Sequence, residues 1–176
     1  MSIEIEVLNG DASWKEVEQL YAAVWPPQVL AALPWGDMTF AHADLRVLVR
    51  DETDDVVCHV GIYRRMVIWD GRKLSVGGIG GVMTREDVRN RGYASVALNA
   101  AIHTLREERS IGCGMLFCEP DRAPFYLGRG WKAFDGEILA EQPDKGQIRF
   151  DVLTPLVHDI RRAPRQGVID LCGLPW

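Results

Sequence analysis

The sequence predicts a mixed α/β domain built around one sheet, and three observations carry that prediction. Strand-like apolar runs at 45–51, 56–69 and 73–84 follow one another closely. An Ala-rich stretch at 92–108 places Ala94, Ala97, Leu98, Ala101, Ile102 and Leu105 on one helical face. A further apolar run, "CGMLFCE" at 113–119, lies beyond that helix and is expected parallel to 73–84, because a helical crossover joins parallel strands. All 176 residues read as one domain, 1–176, long enough to bury a core.

The remaining elements follow in order. "IEIEVL" (3–8) alternates apolar and acidic residues and predicts a half-buried strand. "SWKEVEQLYAAVW" is a helix with Trp14, Val17, Leu20, Tyr21 and Val24 on one face, Ser13 and Glu16 spaced as a capping box, and Pro26-Pro27 as its stop. Residues 26–44 are irregular and hold Trp35 and Phe40 beside Asp37 and Asp44. Such aromatics form either a satellite core or a ligand wall. Asp70-Gly71 signals a hairpin between 56–69 and 73–84, since type I′ turns take positive φ at both central residues. "RAPFYLGRGW" reads as a short helix ending near Gly128 or Gly130, and the tail adds "EILA", "GQIRFDVLTPL" and "GVIDLCGLPW".

Composition excludes several classes. The 47% apolar and 26% charged fractions are those of a soluble globular chain. A net charge of -5 argues against non-specific nucleic-acid binding and leans toward a cationic substrate. No secretory pattern opens the chain, and no apolar run of about 18 residues predicts a membrane span. Cys58, Cys113, Cys118 and Cys172 lack metal-type spacing, and the four histidines are scattered. The expectation is a reduced, cytoplasmic protein without a metal.

"VMTREDVRNRGYASVAL" (82–98) leaves a β run, crosses a charged turn and enters the helix. Two readings fit this turn by itself. Gly92 can simply start a helix beside solvated arginines. Alternatively, the unpaired amides and positive end of the helix cradle a phosphate, with Gly92 permitting close approach and Arg89 and Arg91 adding charge. Neither GxxxxGK[ST] nor GxGxxG after the first strand occurs, and "GGIGG" (77–81) lies inside a strand, where glycine marks a bulge or a close approach.

"VMTREDVRNRGYA" resembles motif A of the GCN5-related N-acetyltransferases (GNAT), R/Q-x-x-G-x-G/A, with Arg89, Gly92 and Ala94 at its defining positions. "FYLGRGW" resembles the family's later element, in which a tyrosine opens a short helix, and the likeness spans roughly residues 3–155. The resemblance implies a GNAT fold: a mostly antiparallel sheet with one splayed parallel pair, flanked by helices. It implies acetyl-CoA as cosubstrate, held by Arg89, Asn90, Arg91, Gly92, Tyr93 and Ala94 at the pyrophosphate and by Val82, Met83 and Thr84 along the pantetheine arm. It also implies that Tyr126 donates the proton to the leaving sulfur, with the Val82 amide polarising the carbonyl. Glu119, at the end of its strand, is a candidate base through water or a carboxylate for a cation.

Within the family the middle strands are most similar to aminoglycoside 2'-N-acetyltransferases and also resemble the nodulation acyltransferase acting on chitooligosaccharides. The first similarity implies a cationic amino-sugar acceptor near Asp37, Gly80, Gly81, Glu119, Asp151, Asp170 and the Trp176 carboxylate. Gly80 departs from the pattern, because those enzymes carry a glutamate there. The resemblance allows a homodimer, while net charge and the lack of a long apolar run predict no nucleic-acid or membrane partner. Transfer to another small amine or a peptide, and a CoA-binding regulatory module without efficient turnover, stay open.

Overall fold

The computed structural model describes residues 3–176. Among them are four α-helices, α1 (Trp14–Val24), α2 (Pro27–Leu30), α3 (Tyr93–Glu107) and α4 (Ala123–Leu127). Ten strands complete the chain: β1 (Glu4–Asn9), β2 (Leu45–Arg50), β3 (Val56–Trp69), β4 (Arg72–Thr84), β5 (Cys113–Cys118), β6 (Lys132–Ala133), β7 (Asp135–Gln142), β8 (Gly146–Arg149), β9 (Thr154–Asp159) and β10 (Gln166–Asp170). They make one mixed sheet in the order β6-β9-β5-β4-β3-β10-β7-β8, with β2 and then β1 beside the first half of β3. No helix among the described residues is long and apolar enough to cross a membrane.

The hairpin forms as its sequence dictates. Asp70 and Gly71 have φ of 46° and 78°, and Trp69 pairs directly with Arg72. The crossover also forms, and β4 and β5 pair in parallel from Val76↔Cys113 to Ile79↔Leu116. The pairing stops there, although β4 runs on to Thr84 and β5 to Cys118. Beyond that point β5 pairs only with β9. The two strands thus splay, as the family resemblance implied.

α3 fills one face of the sheet, burying Ala97, Leu98, Ala101, Ile102 and Leu105 against Val47, Val60, Ile62 and Ile79. On the other face, α1 buries Val17 and Leu20 against Leu48 and Met83. The tail brings Trp176 onto that same face with Tyr63, Met115 and Phe117.

Four local expectations change. β1 is a strand, but Ile5 and Val7 remain 41% and 43% exposed. β1 is an edge strand whose partner is β2, and α3 packs on β2, β3 and β4. The capping box does not form. The Ser13 hydroxyl donates to the Asn9 carbonyl at 2.6 Å, and Glu16 is drawn to Arg50. Pro26-Pro27 stops α1, and Pro27 also opens α2, where its fixed φ suits the first helical position. The run "GQIRFDVLTPL" is broken between β8 and β9, where Phe150 and Leu153 turn inward and Phe150 meets Phe117 at 5.0 Å.

The tail depends on one glycine. A Cβ on Gly78 would lie 2.4 Å from Cε2 of Trp176, whose indole donates to the Met115 carbonyl at 3.0 Å. Replacing Gly78 with alanine should therefore cost about 1–3 kcal/mol by overpacking. In a Trp176→Ala background the same methyl should cost less than half of that. Chemical denaturation of the four proteins measures the coupling, and an equal cost in both backgrounds would contradict this contact.

Candidate functional site

A cavity of about 1150 Å³ runs through the splay. One end lies at the N-terminus of α3 and the other between α1, the 26–44 segment and the tail. Val82, Met83, Thr84, Arg89, Asn90, Gly92, Tyr93 and Ala94 line the first end. Gly80, Gly81, Glu119, Tyr126 and Trp176 line the middle and the far end. These thirteen of the expected site residues are brought onto one surface.

Geometry at the first end follows from the turn. Asn90 and Gly92 both have positive φ, 62° and 87°, so the chain curls before α3 begins. A helix leaves its first amides without intrahelical partners, and none of the first-turn side chains of α3 is acidic. A Cβ on Gly92 would meet no protein atom within 4 Å, so the space over the amides is open. Arg129, which sequence reasoning missed, donates to the Ser95 hydroxyl at 3.0 Å and lies 3.8 Å over the Phe125 ring. Arg122 also lines the cavity, and its charge acts on Tyr126. Arg91, by contrast, is exposed and forms no part of the cavity wall.

At the splay, β4 carries a bulge. Its register against β3 shifts between His59↔Met83 and Gly61↔Gly80, and Gly81 has φ of 57°. Gly81 and Val82 thus fall between paired positions, and no strand flanks them on the β5 side. Backbone amides at such a place are free to meet a ligand. Tyr126 is 7% exposed, with its ring edge-on to Phe125 and Trp131 at 5.0 and 6.3 Å. Burial pushes its phenol well above the usual range, so the group stays protonated at neutral pH. Glu119 follows β5 and accepts from the Trp35 indole at 3.2 Å.

The far end is aromatic. Trp25, Trp35 and Phe40 touch edge to face at 5.4 and 5.7 Å, and all three line the cavity. The 26–44 aromatics are therefore wall and satellite core together. Trp176 stacks on Tyr63 at 6.1 Å, beneath the Arg65 guanidinium. A Cβ on Gly80 would lie 3.1 Å from both the Trp176 carbonyl carbon and the Tyr63 ring. The tail occupies the space that a larger residue at position 80 would need. Asp37 and Asp151 are exposed, and Asp170 bonds to Gln147 and to the Cys172 amide. None of these three lies on the cavity wall.

Sequence reasoning also missed a buried polar pair behind the bulge. Arg46 and His59 are 6% and 1% exposed, and both line the cavity. The His59 Nδ1–H donates to the Gly81 carbonyl at 2.7 Å, which leaves Nε2 to accept from Arg46 Nη1 at 3.0 Å. Burial, with the Arg46 charge beside it, pushes His59 down to about 4, so the ring is neutral. The only sequence signal was a polar residue inside an apolar stretch of each strand, Arg46 within 45–49 and His59 within 56–62.

Comparison with known proteins places this geometry in a family. Residues 8–134 match the acetyltransferase (GNAT) domain family. The chain belongs to the GNAT family. Among solved structures it is similar to an Escherichia coli GNAT family N-acetyltransferase in complex with CoA, with a TM-score of 0.63 at 15% identity over 97% of this chain and 88% of that one. A Brucella melitensis GNAT acetyltransferase in complex with acetyl-CoA gives 0.61 at 14% identity over 96% and 94%. By sequence, 88 residues are 27% identical to an aminoglycoside 2'-N-acetyltransferase of Mycolicibacterium fortuitum, spanning 50% of this chain and 44% of that relative.

His59 sets a pH signature. Its folded value of about 4 lies below the ordinary 6.5, so near pH 5 the unfolded chain holds a proton that the fold refuses. Stability is full above the unfolded value and falls as pH drops toward the folded one. Between about pH 7.5 and about pH 5 this group should remove about 2 kcal/mol. Urea unfolding of the wild type and His59→Gln at both pH values checks this. The variant should lose much less over the interval, and equal losses would contradict the assignment.

Proposed function

We propose that this chain is an acetyl-CoA-dependent N-acetyltransferase that acylates a primary amine of a small molecule by direct attack on the thioester. The observation that carries the reading is the single cavity through the splay, joining the open N-terminus of α3 to an aromatic chamber, with Tyr126 buried between them. The open amides at Gly92 to Ser95, with Arg129 beside them, suit a pyrophosphate. The unpaired edge of β4 beyond Ile79 suits an extended arm that pairs like an added strand.

In this mechanism the neutral amine attacks the thioester carbon, forming a C–N bond while the carbonyl oxygen takes up negative charge. The amide of Val82 donates to that oxygen. Collapse breaks the C–S bond, and Tyr126 donates its phenolic proton toward the departing thiolate. The ammonium loses its proton through water to Glu119, and the phenol is restored from solvent. Free CoA and an amide leave.

A second reading names the acceptor as an aminoglycoside-like amino sugar. It is supported by the 27% identity over 88 residues with the Mycolicibacterium enzyme. Against it stands the cavity wall, where Glu119 is the one carboxylate side chain among the described residues.

Thiol release from acetyl-CoA with a panel of primary amines tests the proposal. At least one amine should raise release above the acceptor-free rate, and Tyr126→Phe should lower kcat by about 100-fold while leaving CoA affinity unchanged. CoA binding without release on any amine would favour a regulatory module instead. Unchanged kcat in the variant would remove Tyr126 from the chemistry.

A further inference from the structure

The acceptor half of the cavity holds a cation that no described acidic side chain pairs with directly. Arg46 is 6% exposed, yet among the described residues it forms no ion pair. Its Nε donates to the Gly10 carbonyl at 3.0 Å and its Nη1 to His59, while Nη2 bonds to no described residue. Its guanidinium lies 5.0 Å from the centre of the Trp14 ring. The acidic groups that act on it through space are Tyr63, a phenol that burial pushes up to about 12, and the exposed Asp11. Tyr63 is thus neutral, and Arg46 is solvated by two neutral acceptors.

Keeping a guanidinium buried without a direct counter-charge carries a desolvation penalty, even when it is hydrogen-bonded. An anion entering the cavity recovers part of that cost, and a planar carboxylate suits a guanidinium best. A second cation there would meet like-charge repulsion at low dielectric. Of the other guanidinium side chains on the wall, Arg89 and Arg129 belong to the half suited to phosphates, and Arg122, whose amide bonds to the Glu119 carbonyl, acts on Tyr126 at the middle. Around Arg46 the wall is aromatic: Trp14, Tyr21 and Tyr63 line it with His59.

We infer that the acceptor is a primary amine that also carries a carboxylate on an apolar, flat body, and that Arg46 receives the carboxylate. The inference rests on the acyl-transfer reading of the same cavity. Arg46 and the Gly81 carbonyl are linked by hydrogen bonds of 3.0 and 2.7 Å across one imidazole. The amine attacks beside Gly81 and Val82, so amine and carboxylate are separated by about the length of one aromatic ring. A polycationic aminoglycoside lacks the anion and brings extra charge toward the arginine.

The matched probes are 4-(aminomethyl)benzoate, 4-(aminomethyl)benzamide and an aminoglycoside bearing a 2'-amine, assayed with acetyl-CoA and the full chain. The wild type should prefer the benzoate to the benzamide by about tenfold or more in kcat/KM. Arg46→Gln should erase that ratio and leave KM for acetyl-CoA unchanged, whereas a purely structural arginine would lower both substrates alike. No preference in the wild type, a preference that survives Arg46→Gln, or faster turnover of the aminoglycoside would overturn the inference. Should Arg46→Gln not fold, calorimetry on the wild type with CoA decides, using 4-(acetamidomethyl)benzoate against its amide. Equal affinities there overturn the inference as well. Tighter binding of the benzoate product with no turnover of either amine would overturn acyl transfer while supporting carboxylate recognition at Arg46.

Discussion

Beyond Ile79 and Leu116 two parallel neighbours in one sheet stop exchanging hydrogen bonds, and their backbone must find other partners. β5 finds them in β9 on its far side. β4 has β3 on one side only, and there it is bulged at Gly80 to Met83. What remains is a stretch of strand with an open edge, facing a cavity, beside the N-terminus of a helix. The indole of Trp176 lies on the sheet at the root of this gap, bonded to the carbonyl of Met115. Gly78 permits it to lie that close.

The cavity is divided electrostatically as well as by shape. Its first half combines a helix N-terminus with Arg129 and open space over Gly92, an environment made for negative oxygens. Its second half is apolar and aromatic, interrupted by Glu119, Arg46 and His59. Between the two, Tyr126 is held protonated by burial, and in the second half His59 is held neutral, so neither adds mobile charge to the cavity. A reaction that creates an oxyanion and a thiolate is favoured where fixed donors, not solvent, meet the developing charge.

Much of this was legible in the residues. Asp70-Gly71 fixed its hairpin because few other pairs tolerate two positive φ angles. The turn before α3 by itself left two readings open, and only the resemblance of Arg89, Gly92 and Ala94 to the family's motif chose between them. The buried Arg46–His59 pair was not legible. A single polar residue in an apolar strand does not say whether it faces a partner, a cavity or solvent, and only the register of β2 on β3 brings these two together. The same limit applies to Asp37 and Asp151, whose positions depend on loop paths, and to Asp170, whose place is decided by the pairing of β10 with β3 and β7. Ser13 and Glu16 had the right spacing, but a tertiary cation took Glu16.

The most direct measurement is amide hydrogen exchange, residue by residue, with and without acetyl-CoA. Slowed exchange is expected at Val82 to Thr84 and at Gly92 to Ser95, with little change along β7, β8 and β10. Protection confined to other surfaces, or none at saturating acetyl-CoA, would contradict the claim that the splay and the α3 N-terminus form one donor site.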